Sequence, residues 1–339
     1  MQRVRHTGAN RENFPPEAPA NSLQGFVGLG KVISPMLTLR PWNRPDDTVA
    51  VQQLVSRLWP LATHPGGLGW EAASDQLPTH TMLAERDGRI VGWAGVTEGD
   101  LTVQASPDDL DAAPALLNWA IEQAAGEALN IVVFHGDLRV QQLVTEFGFA
   151  RREGPSTLQG MFRKAASEGA VLPEGYRFRG VRDGEEKERV AIHQAAWRPA
   201  TMPWPDGSTY SVDPALTSRF TDTHFEQVRR AWLYDQQLDF VVEAPDGTLA
   251  ACCTAWWDPT IDCAEIEPLG VAPEHRRKGL ATALCMEVCT QVAIRGGIEV
   301  FINTAPNDDY PAPPATYLSA GFIVRDRGSY YDRRAPLLR

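Results

Sequence analysis

The sequence predicts an α/β protein made of two tandem domains of one fold, each a twisted mixed sheet flanked by helices. Three observations support this prediction. The chain has 339 residues, which is long for one ordinary domain. Its two halves carry similar segments in the same order. Within each half, strand and helix patterns alternate, and such an order places helices on both faces of a sheet.

The internal repeat begins with two short strands, Leu37 to Pro41 and Tyr176 to Gly180. In each half this strand is followed by a charged turn and by an amphipathic helix that ends in a tryptophan. A hairpin with an Asp-Gly turn comes next. A Gly-Phe pair near the end of each half completes the pattern. The arginines of the two first strands, at 40 and 179, are 139 residues apart, whereas the glycines at 148 and 321 are 173 apart. A second copy with longer loops accounts for this growth.

Four parts of the chain are therefore expected. Residues 1–35 carry scattered proline and glycine without a period, which predicts a poorly ordered tail. Residues 36–165 form the first domain, 166–175 a linker, and 176–339 the second domain. The second domain is the one expected to carry the chemistry.

Composition narrows the function classes. The formal net charge of −11 argues against nucleic acid or an anionic membrane as partner. No apolar run approaches the roughly 20 residues of a membrane span, and no secretion signal is recognisable. The five cysteines lack metal-ligand spacing, so we expect reduced thiols, no bound metal and a cytoplasmic location.

The most informative segment is EPLGVAPEHRRKGLATAL, residues 267–284. It predicts a buried strand, a basic turn and a helix that opens at Gly279. The first N–H groups of a helix have no partner within the helix, and the helix dipole places partial positive charge there. Glycine lets the backbone come close to a bulky phosphate. The segment therefore predicts an anion-binding site.

This segment resembles the acetyl-CoA signature of the GNAT N-acetyltransferase superfamily, Arg/Gln-x-x-Gly-x-Gly/Ala, which Arg276, Gly279 and Ala281 match. In that family the signature follows a strand that ends in V-x-P, here Val271 to Pro273. The resemblance covers nearly all of residues 36–339 and implies the GNAT fold for both halves. A tandem layout with a degenerate first copy is distantly similar to the mycothiol synthase group.

The resemblance implies acetyl-CoA as co-substrate. Backbone groups of the motif strand, at Leu269, Gly270 and Val271, are implied to bind its carbonyl and pantetheine amides. The implied contacts to its pyrophosphate are Arg276, Arg277, Lys278, Gly279, Leu280, Ala281 and Thr282.

The first half lacks this chemistry. Leu110, Asp111, Ala112 and Ala113 stand where the second half has Arg276 to Gly279. Further carboxylates at positions 108 and 109 would repel a pyrophosphate. We therefore expect the first half to be a scaffold that packs against the second half and walls the acceptor site.

Acetyl transfer to an amine needs a base, and Glu265 and Glu267 are the candidates. The period of two in a strand predicts that both share one face with Leu269 and Val271. Several GNAT proteins carry a glutamate base four residues before the Leu269 position, which favours Glu265 and leaves Glu267 second. The resemblance also implies Tyr317 as the acid that protonates the departing thiolate, because a phenol with a pKa near 10 suits that role.

Aromatic and acidic residues in the enlarged part of the second half suit an amphipathic amine. They include Trp204, Tyr210, Trp257 and Asp258. The predicted function is N-acetylation of a primary amine of a small molecule or peptide, by direct transfer in a ternary complex. Two alternatives stay open: a CoA-binding or regulatory protein without catalysis, and transfer of a longer acyl group. The retained tyrosine and glutamates argue against the first.

Overall fold

The computed structural model describes residues 36–61, 63–197, 201–203, 209–211, 218–305 and 312–335. The predicted tail at residues 1–35 and the predicted acceptor residue Trp204 lie outside this part of the chain. For Tyr210 the description covers the backbone alone.

The first half alternates strands and helices as the sequence predicts. Its elements are β1 (Thr38–Pro41), α1 (Thr48–Leu58), α2 (Pro65–Ala73), β2 (His80–Arg86), β3 (Arg89–Thr97), β4 (Asp100–Ala105), α3 (Ala112–Gln123), β5 (Leu129–Phe134), α4 (Leu138–Glu146), β6 (Ala150–Arg151) and β7 (Leu158–Lys164).

The second half repeats this order with an insertion after its first helix. Its elements are β8 (Arg177–Gly180), α5 (Glu186–Ala196), β9 (Thr201–Pro203), β10 (Thr209–Ser211), α6 (Asp222–Val228), β11 (Asp239–Glu243), β12 (Leu249–Asp258), β13 (Cys263–Val271), α7 (Leu280–Ile294), β14 (Glu299–Thr304), α8 (Ala312–Ser319) and β15 (Ile323–Arg333). The insertion holds the β9–β10 hairpin, and α6 then occupies the place before β11 that α2 has before β2.

Local sequence signals explain several boundaries. Trp59 and Trp197 directly follow the last residues of α1 and α5, so the two tryptophans are equivalent in the repeat. Asp87 and Gly88 join β2 to β3 with φ angles of 53° and 71°, which a tight hairpin turn requires. The Asp137 side chain accepts the Val140 N–H and caps the start of α4.

The main strands form one mixed sheet of 13 strands. Its order is β1-β2-β3-β4-β5-β15-β7-β14-β13-β12-β11-β8, with β6 paired to β15. The pairs β4–β5 and β13–β14 are parallel, and the other pairs are antiparallel. The predicted fold class, a mixed twisted sheet flanked by helices in two repeats, is confirmed.

The two halves exchange their last strands. The final strand of the second half, β15, lies between β5 and β7, and the final strand of the first half, β7, lies between β15 and β14. Ser329 pairs with Val133, and Phe162 pairs with Phe301, so each half completes the sheet of the other. Residues 36–339 accordingly form one compact unit. The domain boundaries proposed from the sequence mark the repeat along the chain, whereas the sheet is continuous across them.

Each half has its own apolar core, beside α3 in the first half and beside α7 in the second. One core packs α7 against β12, β13 and β14, and a second packs α3 against β3, β4 and β5. A third core joins the halves, because Trp70 of α2 packs in it with Trp256 of β12. Among the described residues, no helix has the length and apolar character needed to cross a membrane.

Both parallel strand pairs open toward their carboxyl ends. The strands β13 and β14 pair at Cys263, Ala264 and Glu265 and then separate, although β13 continues to Val271. The strands β4 and β5 pair at Asp100 and Leu101 alone. The sheet therefore has one opening in each half.

Candidate active site

A cavity of about 650 Å³ lies at the opening of the second half. The end of β13, the basic turn, the start of α7 and helix α8 surround it. Its lining includes nine of the ten residues predicted to bind the cofactor: Leu269, Gly270, Val271, Arg276, Arg277, Gly279, Leu280, Ala281 and Thr282. The edge of β13 that faces β14 is unpaired beyond Glu265, so backbone groups along this edge face the opening.

The turn before α7 has the conformation expected of an anion site. Arg277 and Gly279 have φ angles of 61° and 79°, in the left-handed region. The helix begins at Leu280 without a side-chain cap, so its first N–H groups are directed toward the turn. A Cβ at Gly279 would meet nothing within 4 Å, so the glycine is required by its φ angle rather than by crowding within the protein.

The three cations of the turn have different surroundings. The Arg276 guanidinium donates to the carbonyl oxygens of Val271 (3.1 Å) and Ala196 (2.9 Å), which ties the end of β13 to α5. Lys278 donates to the Tyr176 hydroxyl at 3.0 Å, and it is the one predicted cofactor residue outside the cavity lining. Arg277 is exposed and lines the cavity. Of the three, Arg277 is therefore best placed for a phosphate.

The predicted shared face of the motif strand is wrong. Leu269 pairs with Cys253 and Ile266 with Ala255, so three residues of β13 span the distance that two span on β12. This bulge shifts the alternation of the strand. Leu269 and Val271 pack toward α7, as do Ala264 and Ile266, whereas Glu265 points to the opposite face.

Glu265 is buried against the first half. Its Oε2 accepts the Gly67 N–H of α2 at 2.6 Å and lies 3.4 Å from Nδ1 of His64. That Nδ1 accepts the Gly66 N–H, so it carries no proton toward the carboxylate. A carboxylate at a helix N-terminus is stabilised by the helix dipole. Glu265 thereby fixes α2 of the first half on the motif strand.

Glu71 of the first half joins this carboxylate group, and sequence reasoning missed it. It lies four residues after Gly67, so both face the motif strand from one side of α2. Burial, and then the charge of Glu265, raises the pKa of the Glu71 carboxyl to about 7. Burial, and then Glu265 and Glu71, raises the pKa of Glu267 to about 8. A carboxylate with a pKa near neutrality can exchange protons with an amine.

One feature of the sequence could have indicated the packing of α2 against the second half. It is the run of glycines in PGGLGWE. A Cβ at Gly66 would lie 2.1 Å from Cβ of Trp256, and one at Gly67 would lie 2.6 Å from the Glu265 carboxylate. The glycines therefore permit the close approach of α2 to the second half.

Tyr317 lines the cavity from α8 and has 9% of its surface exposed. Its ring centroid lies 6.3 Å from that of Phe322, within the core beside α7. The predicted acid is therefore next to the predicted cofactor residues, at the position the Gly-Phe pair indicated.

The two predicted acceptor residues with described side chains lie elsewhere. Asp258 is fully buried and accepts hydrogen bonds from Ser56 (2.6 Å) and from the backbone and hydroxyl of Thr260. It joins the halves and has no place for a substrate. Trp257 packs near Gly297 beyond the far end of α7, and neither residue lines the cavity. Among the described residues, no group of three or more His, Cys, Asp or Glu side chains could hold a metal ion.

Comparisons with known proteins agree with this geometry. A sequence model of the Acetyltransferase (GNAT) family matches residues 190–322. A tandem GNAT protein from the clavulanic acid biosynthesis pathway shares 16% identity over 90% of this chain and 100% of its own, with a TM-score of 0.56. A GCN5-related N-acetyltransferase from Sphaerobacter thermophilus shares 19% identity over 89% and 97%, with a TM-score of 0.51. An acetyltransferase of the GNAT family from Colwellia psychrerythraea shares 14% over 88% and 100%, with a TM-score of 0.56.

No curated protein sequence matches the chain. The identities to solved structures are low, so these structures establish the fold, while the family match lies on the half that holds the cavity. The chain has the fold of a tandem GNAT protein, and the part of its second half from residue 190 to 322 is similar to the Acetyltransferase (GNAT) family.

Proposed function

We propose that this protein transfers an acetyl group from acetyl-CoA to a primary amine of a small molecule or peptide, with the chemistry in the second half. The observation that carries the proposal is the opening between β13 and β14. An uncapped helix N-terminus and a cavity lie on one side of it, and a carboxylate group with raised pKa values lies on the other.

The cofactor would use the cavity side. Pantetheine amides would bond the unpaired edge of β13 along residues 269–271, and the pyrophosphate would meet the first N–H groups of α7 and the side chain of Arg277. Anions at a helix N-terminus gain about 0.3–1 kcal/mol each at exposed positions. The cofactor is proposed here because backbone N–H groups and a guanidinium are the donors that amide carbonyls and phosphates require.

Glu267 is the base that fits the chemistry best. An acceptor arriving as an ammonium would give one proton to the Glu267 carboxylate, and its nitrogen lone pair would then attack the thioester carbonyl. The C–S bond breaks as the C–N bond forms, the thiolate takes the proton of Tyr317, and the new amide nitrogen gives its surplus proton to the Tyr317 oxygen, which restores the phenol. Glu265 holds α2 in place through the Gly67 N–H and is the less suitable base.

The first half is proposed to bind no acetyl-CoA. At its equivalent turn, Asp109 is held by Arg86 at 2.6 Å and 3.0 Å, and Asp111 directly precedes α3. Carboxylates therefore occupy the helix N-terminus that phosphates would need. Its role is structural: it supplies β7, α2 and Glu71 to the second half.

Calorimetry with acetyl-CoA, followed by a thiol-release assay on a panel of amines, tests the proposal. One acetyl-CoA should bind per chain, and thiol should appear only when an amine is added. Two equal sites would contradict the role given to the first half. Binding without thiol release for every amine of the panel would favour a CoA-binding protein without catalysis.

Replacing Tyr317 by phenylalanine is expected to lower turnover about tenfold to a hundredfold, because the departing thiolate loses its acid. The affinity for acetyl-CoA should change little, since the ring remains. Steady-state thiol release and calorimetry measure the two quantities. Tyr331→Phe is the matched control: its tyrosine is also buried but lies on β15 outside the cavity, with its hydroxyl on Gln141. Equal rates for both variants would assign Tyr317 to packing.

Replacing Glu71 by glutamine should move the rising part of the pH–rate profile to lower pH. The negative charge of Glu71 helps to raise the pKa of Glu267, so its removal lowers that pKa and makes the base available at lower pH. The profile of kcat/KM against pH measures the shift with one amine throughout, so the titration of the amine cancels. Glu127→Gln, which changes an exposed glutamate of the same half, should leave the profile unchanged. Identical pH–rate profiles for the two variants would show that Glu71 does not influence the pKa of the base.

A further inference from the structure

We propose that a second cavity, on the sheet face opposite α7, binds the body of an elongated cationic amine that serves as the acceptor. This inference rests on the proposed function. The cavity has a volume of about 590 Å³ and crosses the central strands of the sheet, from the opening of the first half to that of the second.

A row of neighbouring residues forms the path between the two openings. Asn303 of β14 pairs with Gly160 of β7, and Gly160 pairs with Asp326 of β15. The Asp326 carboxylate accepts the Gly136 N–H, just beyond β5, at 3.1 Å. Three steps between neighbouring strands span about 14 Å. All four residues line the cavity, so a ligand bound there would be extended.

The end of this path in the second half is next to the proposed chemistry. Phe301 lines the cavity and is the register partner of Glu265 in the last pair before β13 and β14 separate. Asn303 follows two residues later on the same face. Its Oδ1 is buried and has no hydrogen-bond partner among the described residues. A buried acceptor without a donor is costly, so Asn303 favours a ligand with N–H or O–H groups.

Aromatic rings line this end of the cavity. The rings of Trp59 and Phe301 meet edge to face at 4.8 Å between centroids, and Phe162 packs 5.0 Å from Phe301. Such surfaces accept methylene groups and attract cations to their faces. They suit the apolar part of an amine with its charge nearby.

The other end of the path is acidic. Asp137 and Asp326 line it, and neither forms an ion pair within the described part of the chain. Arg325 also lines the cavity, but its guanidinium binds both carboxylate oxygens of Glu299, at 3.0 Å and 2.6 Å, and lies over the ring of Phe162. Burial raises the pKa of the Asp137 carboxyl, which a bound cation would offset. The ligand that complements this end carries a second positive charge.

Gly160 keeps the path open. A Cβ at Gly160 would lie 3.5–3.7 Å from the rings of Phe301, Phe134 and Phe162, which is ordinary contact distance. Alanine therefore fits there, whereas a longer side chain would extend over the floor between Asn303 and Asp326. The chain thus offers a blocking variant, Gly160→Leu, and a matched control, Gly160→Ala.

The experiment is a calorimetric titration of the full chain with 1,8-diaminooctane and with n-butylamine, with acetyl-CoA titrated in parallel. The diamine should bind about tenfold more tightly than n-butylamine, a difference of roughly 1.4 kcal/mol, because its second ammonium group meets the acidic end of the path. Gly160→Leu should remove this preference, and Gly160→Ala should keep it. Both variants should bind acetyl-CoA as the wild-type chain does, because that cavity lies on the other face.

Asp326→Asn is a second test, for the case in which Gly160→Leu folds poorly. This variant should lose most of the preference for the diamine over n-butylamine. A diamine that binds no more tightly than n-butylamine, or equally to the wild-type and Gly160→Leu chains, would overturn the inference. The proposed function fails separately, through absent acetyl-CoA binding or absent thiol release with every amine.

Discussion

A Gly279→Glu chain is expected to bind acetyl-CoA about a hundredfold more weakly than the wild-type chain, or not at all. Two costs combine. A side chain at a φ of 79° costs about 1–2 kcal/mol, which the free turn relieves by changing its conformation and which binding must then restore. The new carboxylate also lies where the phosphates would meet the start of α7. Together they amount to roughly 2–3 kcal/mol, which corresponds to this loss. Calorimetric titration with acetyl-CoA measures it.

Gly296→Glu is the matched control for backbone strain. Gly296 has a φ of 83°, and a Cβ there would also meet open space, but it lies just beyond the opposite end of α7. This variant should bind acetyl-CoA with nearly wild-type affinity. Equal losses in both variants would assign the effect to strain, and wild-type affinity in Gly279→Glu would remove the phosphate site.

A Glu267→Gln chain should lose turnover by a factor of about 10² to 10⁴, the range that general-base catalysis commonly supplies. The amide keeps the shape of the side chain but accepts no proton at neutral pH. The residual rate should also lack the rise near pH 8 that the raised pKa of Glu267 gives the wild-type enzyme, because the wild-type base is deprotonated only above that pH. Single-turnover thiol release across pH 6 to 9 (about the span of that titration) is the measurement.

Glu265→Gln separates the two glutamates. The glutamine oxygen can still accept the Gly67 N–H, so α2 should stay in place and turnover should fall much less. A larger loss in Glu265→Gln than in Glu267→Gln would reverse the two roles and restore the order that the family resemblance suggested. In both variants the affinity for acetyl-CoA should be unchanged.

Much of the fold was predictable because its signals are local. The Asp-Gly turn at 87–88, the tryptophans at the ends of α1 and α5, and the basic turn before α7 each depend on a few consecutive residues. Their shared order along the chain revealed the repeat. The lining of the cavity beside α7 was predictable for the same reason, since one continuous segment supplies most of it.

The surroundings of the β13 carboxylates were not predictable in this way. The bulge in β13 shifts the alternation of the strand and so changes which residues face the first half. A bulge can be recognised only from the register of β13 with β12. Glu71 meets Glu265 and Glu267 through the packing of α2, nearly two hundred residues away along the chain. Asp258 resembled a substrate contact in the sequence, and only its bond to Ser56 of the first half shows it to be a structural bridge.

The sequence by itself determined the repeated strand–helix order, the basic turn before α7 in the second half and the acidic residues that replace it in the first. Each of these follows from residues that are close along the chain. The tertiary structure alone decided that the halves exchange β7 and β15, and that α2 supplies a carboxylate to the motif strand. Strand pairing and helix packing join distant residues through backbone hydrogen bonds and shape, which leave no periodic pattern in the sequence.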